Sequence, residues 1–394
     1  MKAGFIGLGS MGAPIARRLA RSGFEVAGCD ISPVMLDAFD EPGTAKVNDP
    51  IEAARRSEVL GICVRTDDQL RALAGDGRLF EALGHGGLVI LHSTVSPELA
   101  LELADVAKAN GVGFVDVGVS GGGPAAIEGK LSLFVGGEDA DIALALPWLE
   151  AIGRKVSHLG GVGRGQHGKL LNNLISIANY GMSAAIMDVG GSMGFDWQGL
   201  IDAFLAGSAQ SFALGVGPRW VLPREGAEAA AAFMDLHDLL KKDVDHCRVL
   251  PTDQTAALAA LLASCDFMLM RLRRAAALAA GEEIREPATT VNAYFAAVRA
   301  KDIDALMALY APDARFTLPD GKQFEGVEAI RQLHLSIFSA GSPFPVPAAR
   351  FVGSEGIAVE IEAQLPDGSA RQTTNHYRFD GSGRIAALSV YARG

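Results

Sequence analysis

Residues 2–6 form a short apolar run that leads straight into Gly7, Leu8, Gly9, Ser10, Met11 and Gly12, and an amphipathic segment begins at once. Three glycines at this spacing, between a strand and a helix, leave the chain few alternatives. The first permits a tight turn off the strand, the second lets the backbone approach a ligand, and the third lets helix and strand pack closely. The new helix turns free N–H groups and the positive end of its dipole toward the loop, which suits a phosphate. Gly7, Leu8, Gly9, Ser10, Met11 and Gly12 are therefore candidate dinucleotide-binding residues. The pattern carries weight because of its context, strand before and helix after.

The first 150 residues continue this alternation. Strands are expected at 2–6, 24–29, 59–64, 88–92 and 113–117, with helical patterns between them, one over 13–22 where Ile15 and Leu19 share a face. Continuous apolar strands alternating with helices indicate a parallel sheet covered on both faces, a doubly wound α/β (Rossmann) domain over 1–160. The second strand ends in Asp30, 18 residues after Gly12. A carboxylate there accepts hydrogen bonds from ribose hydroxyls and repels a 2′-phosphate, which favours NAD over NADP. The competing reading of Asp30 is a helix cap ahead of Ser32 and Pro33.

From 165 to 280 the apolar residues recur at helical spacing, so an all-helical domain is expected over 161–283. A long apolar helix from Arg164 to about Met193 carries Lys169 and Asn173, four residues apart and on one face. A lysine and an amide on a largely buried helix are costly unless something uses them. Burial also moves a lysine pKa toward neutrality, as proton transfer requires. An exposed solubilising lysine is the plainer reading. Residues 281–290, with Glu282, Glu283, Glu286 and Pro287, read as a linker. Over 284–394 two helices (291–301 and 303–310) precede alternating segments near 315–318, 359–365, 372–380 and 385–393, an α+β domain. The proline-rich 342–347 reads as a loop.

A formal net charge of -11, nearly all of it in 1–283, argues against nucleic acid or an anionic membrane as partner. The N-terminus shows no secretory signal pattern. The longest apolar stretch, 256–270, contains Asp266 and runs into Arg271, Arg273 and Arg274, so it is expected to be too short and too charged to span a bilayer. Cys29, Cys63, Cys247 and Cys265 have no CxxC spacing and are expected as free thiols in a reducing compartment, the cytoplasm. With no HExxH and no Cys/His cluster, no metal is expected.

Four motifs in order carry a family resemblance: Gly7 to Gly12; Ser93 and Thr94; Asp116 to Gly122; and Gly163 to Asn173, which contains Lys169. Over roughly 1–283 the chain resembles the β-hydroxyacid dehydrogenases, the group of 3-hydroxyisobutyrate dehydrogenase and tartronate semialdehyde reductase. The resemblance implies a nicotinamide-dependent oxidoreductase with its active site between the Rossmann and helical domains. It implies that Lys169 is the general acid/base on the substrate hydroxyl, that Asn173 orients the substrate, and that Ser120, Gly121 and Gly122 hold its carboxylate. Consecutive N–H groups without bulky side chains suit that last role; the alternative is a flexible crossover turn. Lys242, paired in sequence with Asp243, is implied near the nicotinamide or substrate, and Val64, Arg65 and Thr94 along the cofactor. The family usually has alanine at 117, proline at 118 and Leu-Pro at 64–65, and tends to have aspartate at 91. These departures bear on the substrate more than on hydride transfer. The expected ligand is a small 3-hydroxy acid or semialdehyde, and the expected assembly a homodimer or larger homo-oligomer. An imine reductase shares the architecture but typically lacks the lysine. A nucleotide-sensing scaffold and a bifunctional enzyme are further alternatives.

Residues 291–394 resemble the SnoaL-like group of the nuclear-transport-factor-2-like fold, on the segments 288–299, 302–316 and 324–330. This implies a cone in which a curved sheet wraps three helices around an apolar pocket. Some members are isomerases or cyclases; others bind or dimerise. Where ketosteroid isomerases place a carboxylate base this chain has Leu318. Asp320, His334 and His376 are the other candidates, with plainer readings as turn, surface helix and strand face. A binding or assembly role is favoured.

Overall fold

Val59–Ile62 and Leu88–Leu91 are four-residue apolar runs with every residue buried, which strands achieve when both faces of their sheet are covered. The computed structural model describes residues 1–394 except 221–223, 283, 342–343, 354–355, 365–369 and 393–394. The chain divides into two compact units, 1–173 with 245–250, and 174–244 with 251–394.

The first unit opens with β1 (Lys2–Ile6), α1 (Gly12–Arg21), β2 (Glu25–Cys29), α2 (Pro33–Asp37), β3 (Thr44–Val47) and α3 (Pro50–Arg55). It continues through β4 (Val59–Ile62), α4 (Asp67–Ala74), α5 (Arg78–Leu83), β5 (Leu88–Leu91), α6 (Pro97–Ala109) and β6 (Gly113–Ser120). Then come α7 (Gly122–Glu128), β7 (Leu131–Gly136), α8 (Asp139–Ile152), β8 (Gly153–His158) and the start of α9 (Arg164–Ser192). The sheet order is β3-β2-β1-β4-β5-β6-β7-β8. The five expected strands are present. The expected parallel doubly wound sheet is formed by β1 to β6, and β7 and β8 extend it, β7 antiparallel to β6 and β8 parallel to β7. Three strands were not expected: β3 and β8, which are the two edges, and β7, which lies inside the sheet. An edge strand tolerates polar residues, so it lacks the apolar signature that marks a central strand.

Phe5, Ile15, Leu19, Trp148 and Leu149 pack one face of this sheet, and Ile6, Leu60, Leu70, Phe80 and Leu103 the other. Fully buried Trp148 stacks against Phe5 and His92, with ring centroids 6.0 Å apart in each pair. Its Nε1–H donates to His92 Nε2 at 3.0 Å. The imidazole is therefore neutral, with its proton on Nδ1, and burial pulls its pKa down to about 4.

The second unit contains the rest of α9, then α10 (Trp197–Ala206), α11 (Phe212–Trp220), α12 (Ala227–Arg248) and α13 (Thr255–Ala279), the last four residues of α12 belonging to the first unit. This is the helical region expected from periodicity. A Cβ on Gly181 of α9 would fall 1.9 Å from the Ser264 carbonyl oxygen of α13, so glycine lets the two helices touch there. By length and composition α13 is long and apolar enough to cross a membrane. That corrects the expectation drawn from 256–270, because the helix continues nine residues further. Its basic residues have partners within the unit: Arg271 with Asp188 at 3.2 Å, Arg273 with His237 at 3.1 Å and Arg274 with Glu286 at 3.2 Å.

The same unit ends with α14 (Pro287–Ala300), α15 (Ile303–Met307), β9 (Tyr310–Thr317), β10 (Gln323–Glu325) and α16 (Val327–Ser339). The strands β11 (Phe344–Gly353), β12 (Gly356–Gln364), β13 (Ala370–Phe379) and β14 (Ile385–Ala392) complete it. The sheet order is β10-β9-β14-β13-β12-β11, with β14 and β9 parallel and the other pairs antiparallel. Tyr294, Phe295, Tyr310, Phe316 and Tyr377 pack in its core, where the family likeness implied an apolar pocket.

Three expectations are corrected here. The helix over 303–310 stops at Met307, and Tyr310 already opens β9. The loop over 342–347 holds the start of β11. That strand is an edge with a register shift between Pro347 and Ala349, a place where proline's missing N–H is tolerated. The linker over 281–290 is already helical from Pro287. Arg285 N–H donates to the Ser382 carbonyl at 2.8 Å. The Thr290 hydroxyl donates to the Gly383 carbonyl at 2.8 Å. Residue 283 of the linker, 342–343 of the loop and the last residues of two expected strands, 365 and 393, lie outside the described residues.

Trp148→Phe removes the donor that satisfies His92 Nε2. It is expected to cost about 1–3 kcal/mol, the penalty for an unsatisfied buried group, and to appear as a lower urea midpoint with an unchanged slope. Neutral His92 also gives the wild type stability that is complete above pH 6.5 and lost as the pH falls to about 4.

Candidate active site

Gly7 has φ +92°, and a Cβ there would lie 2.2 Å from the Cys63 carbonyl oxygen. A Cβ on Gly12 would lie 1.8 Å from the Gly7 oxygen, whereas one on Gly9 would meet nothing within 4 Å. The three glycines thus divide the work as the sequence implied: turn, open approach and close packing. Leu8 is buried, whereas Gly9 and Ser10 are exposed and Met11 half-buried, so the turn into α1 presents an accessible backbone there, which fits a dinucleotide pyrophosphate. Leu8 N–H donates to Asp30 Oδ2 at 2.6 Å, and Ser32 N–H to Oδ1 at 2.7 Å. The side chain that caps α2 is Ser32, which accepts from Met35 N–H at 3.4 Å. Asp30 is therefore no helix cap. It braces the glycine loop at the end of β2, and each oxygen keeps a further acceptor position.

The loops after β4 and β5 lie side by side. Val64 N–H donates to buried Ser93 Oγ at 2.8 Å. Arg65 is exposed, and its N–H donates to Gln69 Oε1 at 2.9 Å next to the Thr66 capping box of α4. Thr94 is half-buried between these loops and α6. Burial alone would raise the Asp67 carboxyl, but the His246 imidazole beside it and the Ser96 N–H that donates to its Oδ2 hold it down to about 2. His246 Nε2 lies 3.4 Å from Asp67 Oδ1, which ties the end of α12 to the first unit.

β6 runs to Ser120, and Gly121 (φ +132°) and Gly122 (φ +72°) then turn the chain into α7. A Cβ on the next residue, Gly123, would lie 3.3 Å from the Ser10 carbonyl oxygen. The candidate carboxylate cradle and the dinucleotide loop are therefore neighbours. Asp116, fully buried in the same strand, accepts Gly163 N–H at Oδ1 (2.8 Å) and Gln166 N–H at Oδ2 (2.7 Å). It caps the start of α9. Burial pushes its carboxyl up to about 6, against the lowering effect of these backbone donors.

One turn along α9, Lys169 is half-buried. A Cβ on Gly118 would lie 2.4 Å from Lys169 Cβ and 2.9 Å from its Cγ, so the lysine stem rests on bare backbone two residues before Ser120. Asn172 Nδ2 lies 3.5 Å from Ser120 Oγ and donates to Asn173 Oδ1 at 3.1 Å. The structure thus brings Lys169, Asn173 and Ser120–Gly122 together and adds Asn172 and Asp116. The signal for Asp116 was an acid inside an apolar strand, a group that must find donors. α9 is less buried than expected: Leu171 and Ile175 are exposed, so one face of the helix is free. Lys242 belongs to the second unit, with Nζ 3.3 Å from the carboxylate of buried Asp243.

In the C-terminal part, Leu318 packs partly buried against the core, and Asp320 accepts Lys322 N–H in an exposed turn. His334 is not on a surface. It is 3% exposed, with Nε2 3.4 Å from the Tyr310 hydroxyl, and burial pulls it down to about 4. His376 is half-buried on β13, on the strand face opposite Asn375 and Tyr377.

Residues 2–160 match the family described as the NAD binding domain of 6-phosphogluconate dehydrogenase, and 291–388 match the SnoaL-like domain. The chain is 31% identical over 243 residues to 3-hydroxyisobutyrate dehydrogenase of Pseudomonas aeruginosa, covering 61% of this chain and 82% of that protein. It is 32% identical over 194 residues to the mitochondrial 3-hydroxyisobutyrate dehydrogenase of Mus musculus, covering 49% of this chain and 58% of that protein. It thus spans little more than half the length of that relative. Among solved structures it is similar to Mycobacterium tuberculosis 3-hydroxyisobutyrate dehydrogenase with L-serine, at 26% identity and TM-score 0.56 over 68% of this chain and 92% of that one. It is also similar to Psf3 in complex with NADP+ and 2-OPP, at 28% identity and TM-score 0.58 over 68% and 94%.

The folded state holds the Asp116 proton more tightly (pKa about 6) than an unfolded chain does (3.8), so this stabilisation is complete below 3.8 and lost as the pH rises to about 6. Asp116→Asn does not titrate. The stability of wild type minus that of Asp116→Asn is expected to fall by about 2–3 kcal/mol between pH 4 and 6 and then stay flat, as read by urea unfolding. A difference that rises with pH would show that the helix N–H groups outweigh burial.

Proposed function

This chain belongs to the 3-hydroxyisobutyrate dehydrogenase family, and from that premise we propose that it interconverts a small 3-hydroxy acid and its oxo or semialdehyde form with a nicotinamide dinucleotide. The observation that carries the reading is the arrangement within the first unit. The Lys169 stem lies on Gly118, Asn172 reaches toward Ser120, and the turn after Ser120 abuts the backbone of Ser10. The proposed proton carrier, carboxylate cradle and dinucleotide loop thus lie in one compact unit.

In this mechanism the Ser120 hydroxyl and the N–H groups of Gly121 and Gly122 hold the substrate carboxylate. Asn172 and Asn173 orient the reacting end. Lys169 accepts the hydroxyl proton in oxidation and returns it in reduction. The dinucleotide, when bound, supplies the hydride acceptor or donor. Lys242, in the second unit, is a further catalytic candidate by family likeness alone. Holding the reactants in contact supplies much of the rate. NAD is favoured over NADP because Asp30 places a carboxylate at the end of β2, where a 2′-phosphate would be repelled.

Two further parts of the reading have their own support. A homo-oligomer is supported by exposed Leu171, Ile175, Met182, Ile186 and Val189, which recur along α9 at helical spacing. A cytoplasmic setting is supported by four free cysteines, three of them buried. For the SnoaL-like part we favour binding or assembly over catalysis, since Leu318 stands where ketosteroid isomerases place a carboxylate base.

NADH formation against a panel of 3-hydroxy acids tests the core of the proposal. Lys169→Ala is expected to lower kcat by about 10²–10⁴-fold, the usual weight of a general acid/base, and turnover that survives the change would remove Lys169 from the mechanism. Asp30→Asn keeps the shape and removes the charge. It is expected to narrow the NAD-over-NADP ratio of kcat/KM by roughly tenfold, the scale of one partly solvated charge repulsion; an unchanged ratio would mean that Asp30 only braces the loop.

A further inference from the structure

Gln166 is fully buried, three residues before Lys169 on α9. Both ends of its amide are used. Nε2–H donates to the Ser93 carbonyl at 2.9 Å, and Oε1 accepts Val95 N–H at 3.1 Å. These partners are 73 and 71 residues away in sequence. An amide that takes the carbonyl of one residue and the N–H two residues on imitates a neighbouring strand. It satisfies two backbone groups of a buried loop that would otherwise be costly to leave unpaired.

The contacts continue in both directions. Ser93 Oγ accepts Val64 N–H, so the loop after β4 is tied to the loop that Gln166 holds. The Gln166 backbone N–H donates to Asp116, so the same residue is tied to β6. Asp116 holds the first turn of α9 by its backbone, along the helix axis. The Gln166 side chain adds a sideways tie, to the 93–95 loop that carries Thr94.

We infer that Gln166 is a positioning residue for the proposed dehydrogenase reaction: its side-chain amide sets the spacing between Lys169 and the Val64–Thr94 side of the dinucleotide site. The inference rests on the dehydrogenase reading. Gln166 touches neither substrate nor dinucleotide in this scheme and acts through α9. Such a role matters because a proton carrier must lie within about 2.6–3.2 Å of the atom it serves, and a misplacement of about 1 Å can cost roughly 10²-fold in rate.

The test uses the full chain as wild type, Gln166→Leu and Gln166→Glu. It measures NADH binding by fluorescence, kcat and KM for the best hydroxy acid, and kcat across pH. Gln166→Leu is expected to lose about 10²-fold in kcat while NADH affinity stays within about threefold, since misplacement acts on reaction geometry more than on binding. Gln166→Glu gives a pH signature that general loss of structure would not. Protonated, the introduced carboxyl donates to the Ser93 carbonyl as the amide does; ionised, it sets one acceptor against another. Its kcat relative to wild type is expected to approach unity at acid pH and to fall as the pH rises, with an apparent pKa absent from the other two proteins. Wild-type kcat in Gln166→Leu, or a Gln166→Glu profile parallel to wild type at every pH, overturns the inference. If Gln166→Leu does not fold, the Gln166→Glu profile decides alone. If wild type neither binds NADH nor oxidises any hydroxy acid, the dehydrogenase reading falls and takes the inference with it, an outcome distinct from active enzyme with silent variants.

Discussion

Asp116 has no solvent exposure, and its two oxygens take the N–H groups of Gly163 and Gln166 at the turn that starts α9. A carboxylate at a helix N-terminus meets unpaired donors and the favourable end of the dipole. Burial still costs enough to push its pKa up to about 6. The chain accepts that cost where it fixes where α9 begins. The surroundings allow no slack: a Cβ on Gly136 would fall 2.5 Å from Asp116 Oδ1, and one on Gly165 2.4 Å from the Asp116 carbonyl oxygen. With the first turn pinned to β6, helix geometry sets the positions of the next residues. Lys169 comes down on Gly118, and Asn172, three residues on, faces the end of the same strand at Ser120. One strand therefore carries the anchor, the seat for the lysine and the cradle, two residues apart in turn along one face.

This explains which parts of the site were legible in the sequence. Gly7, Gly9 and Gly12 could be read because their roles depend on near neighbours and on the absence of a side chain. Lys169 and Asn173 could be placed on one helix face by spacing. Gln166 could not, because its partners are Ser93 and Val95, and no local pattern shows a contact across 71–73 residues. Asn172 was passed over for its neighbour, since helical spacing from Lys169 admits both i+3 and i+4. Asp116 stood inside a recognised motif, but only the packed structure shows that it serves the helix and not a ligand.

The fold obeyed the same division. The buried runs of β4 and β5 announced themselves, because burial on both faces demands unbroken apolar sequence. The edges did not. β8 reads Gly153, Arg154, Lys155, Val156, Ser157 and His158, none of them buried, and pairs on one side only, with β7. β11 begins among prolines, and an edge strand can spare their missing N–H groups. His334 was misplaced for a related reason. Its helix is amphipathic, and a lone histidine does not say which face it joins. Four aromatic rings, Tyr294, Tyr310, Phe316 and Phe338, lie within 5.5–6.3 Å of its own, and only their convergence makes it a core residue.

The net charge of -11 sets the terms on which such a chain can hold anions, as the proposed reaction requires of both substrate and dinucleotide. Long-range attraction is not available, and none is needed. At physiological ionic strength exposed charges fade over about 8 Å, so scattered surface acids contribute little inside a site. What acts there is local. The turns expose backbone at Gly9–Ser10 and at Gly121–Gly122, and Lys169 adds a cation on a stem held against Gly118. The nearest fixed acid on the glycine loop, Asp30, has its oxygens turned onto Leu8 N–H and Ser32 N–H, which disperses its charge into the backbone while leaving it able to accept from a hydroxyl. On the proposed reading the same carboxylate would accept from a ribose and repel a phosphate ester on it, with no change in the acidic surface.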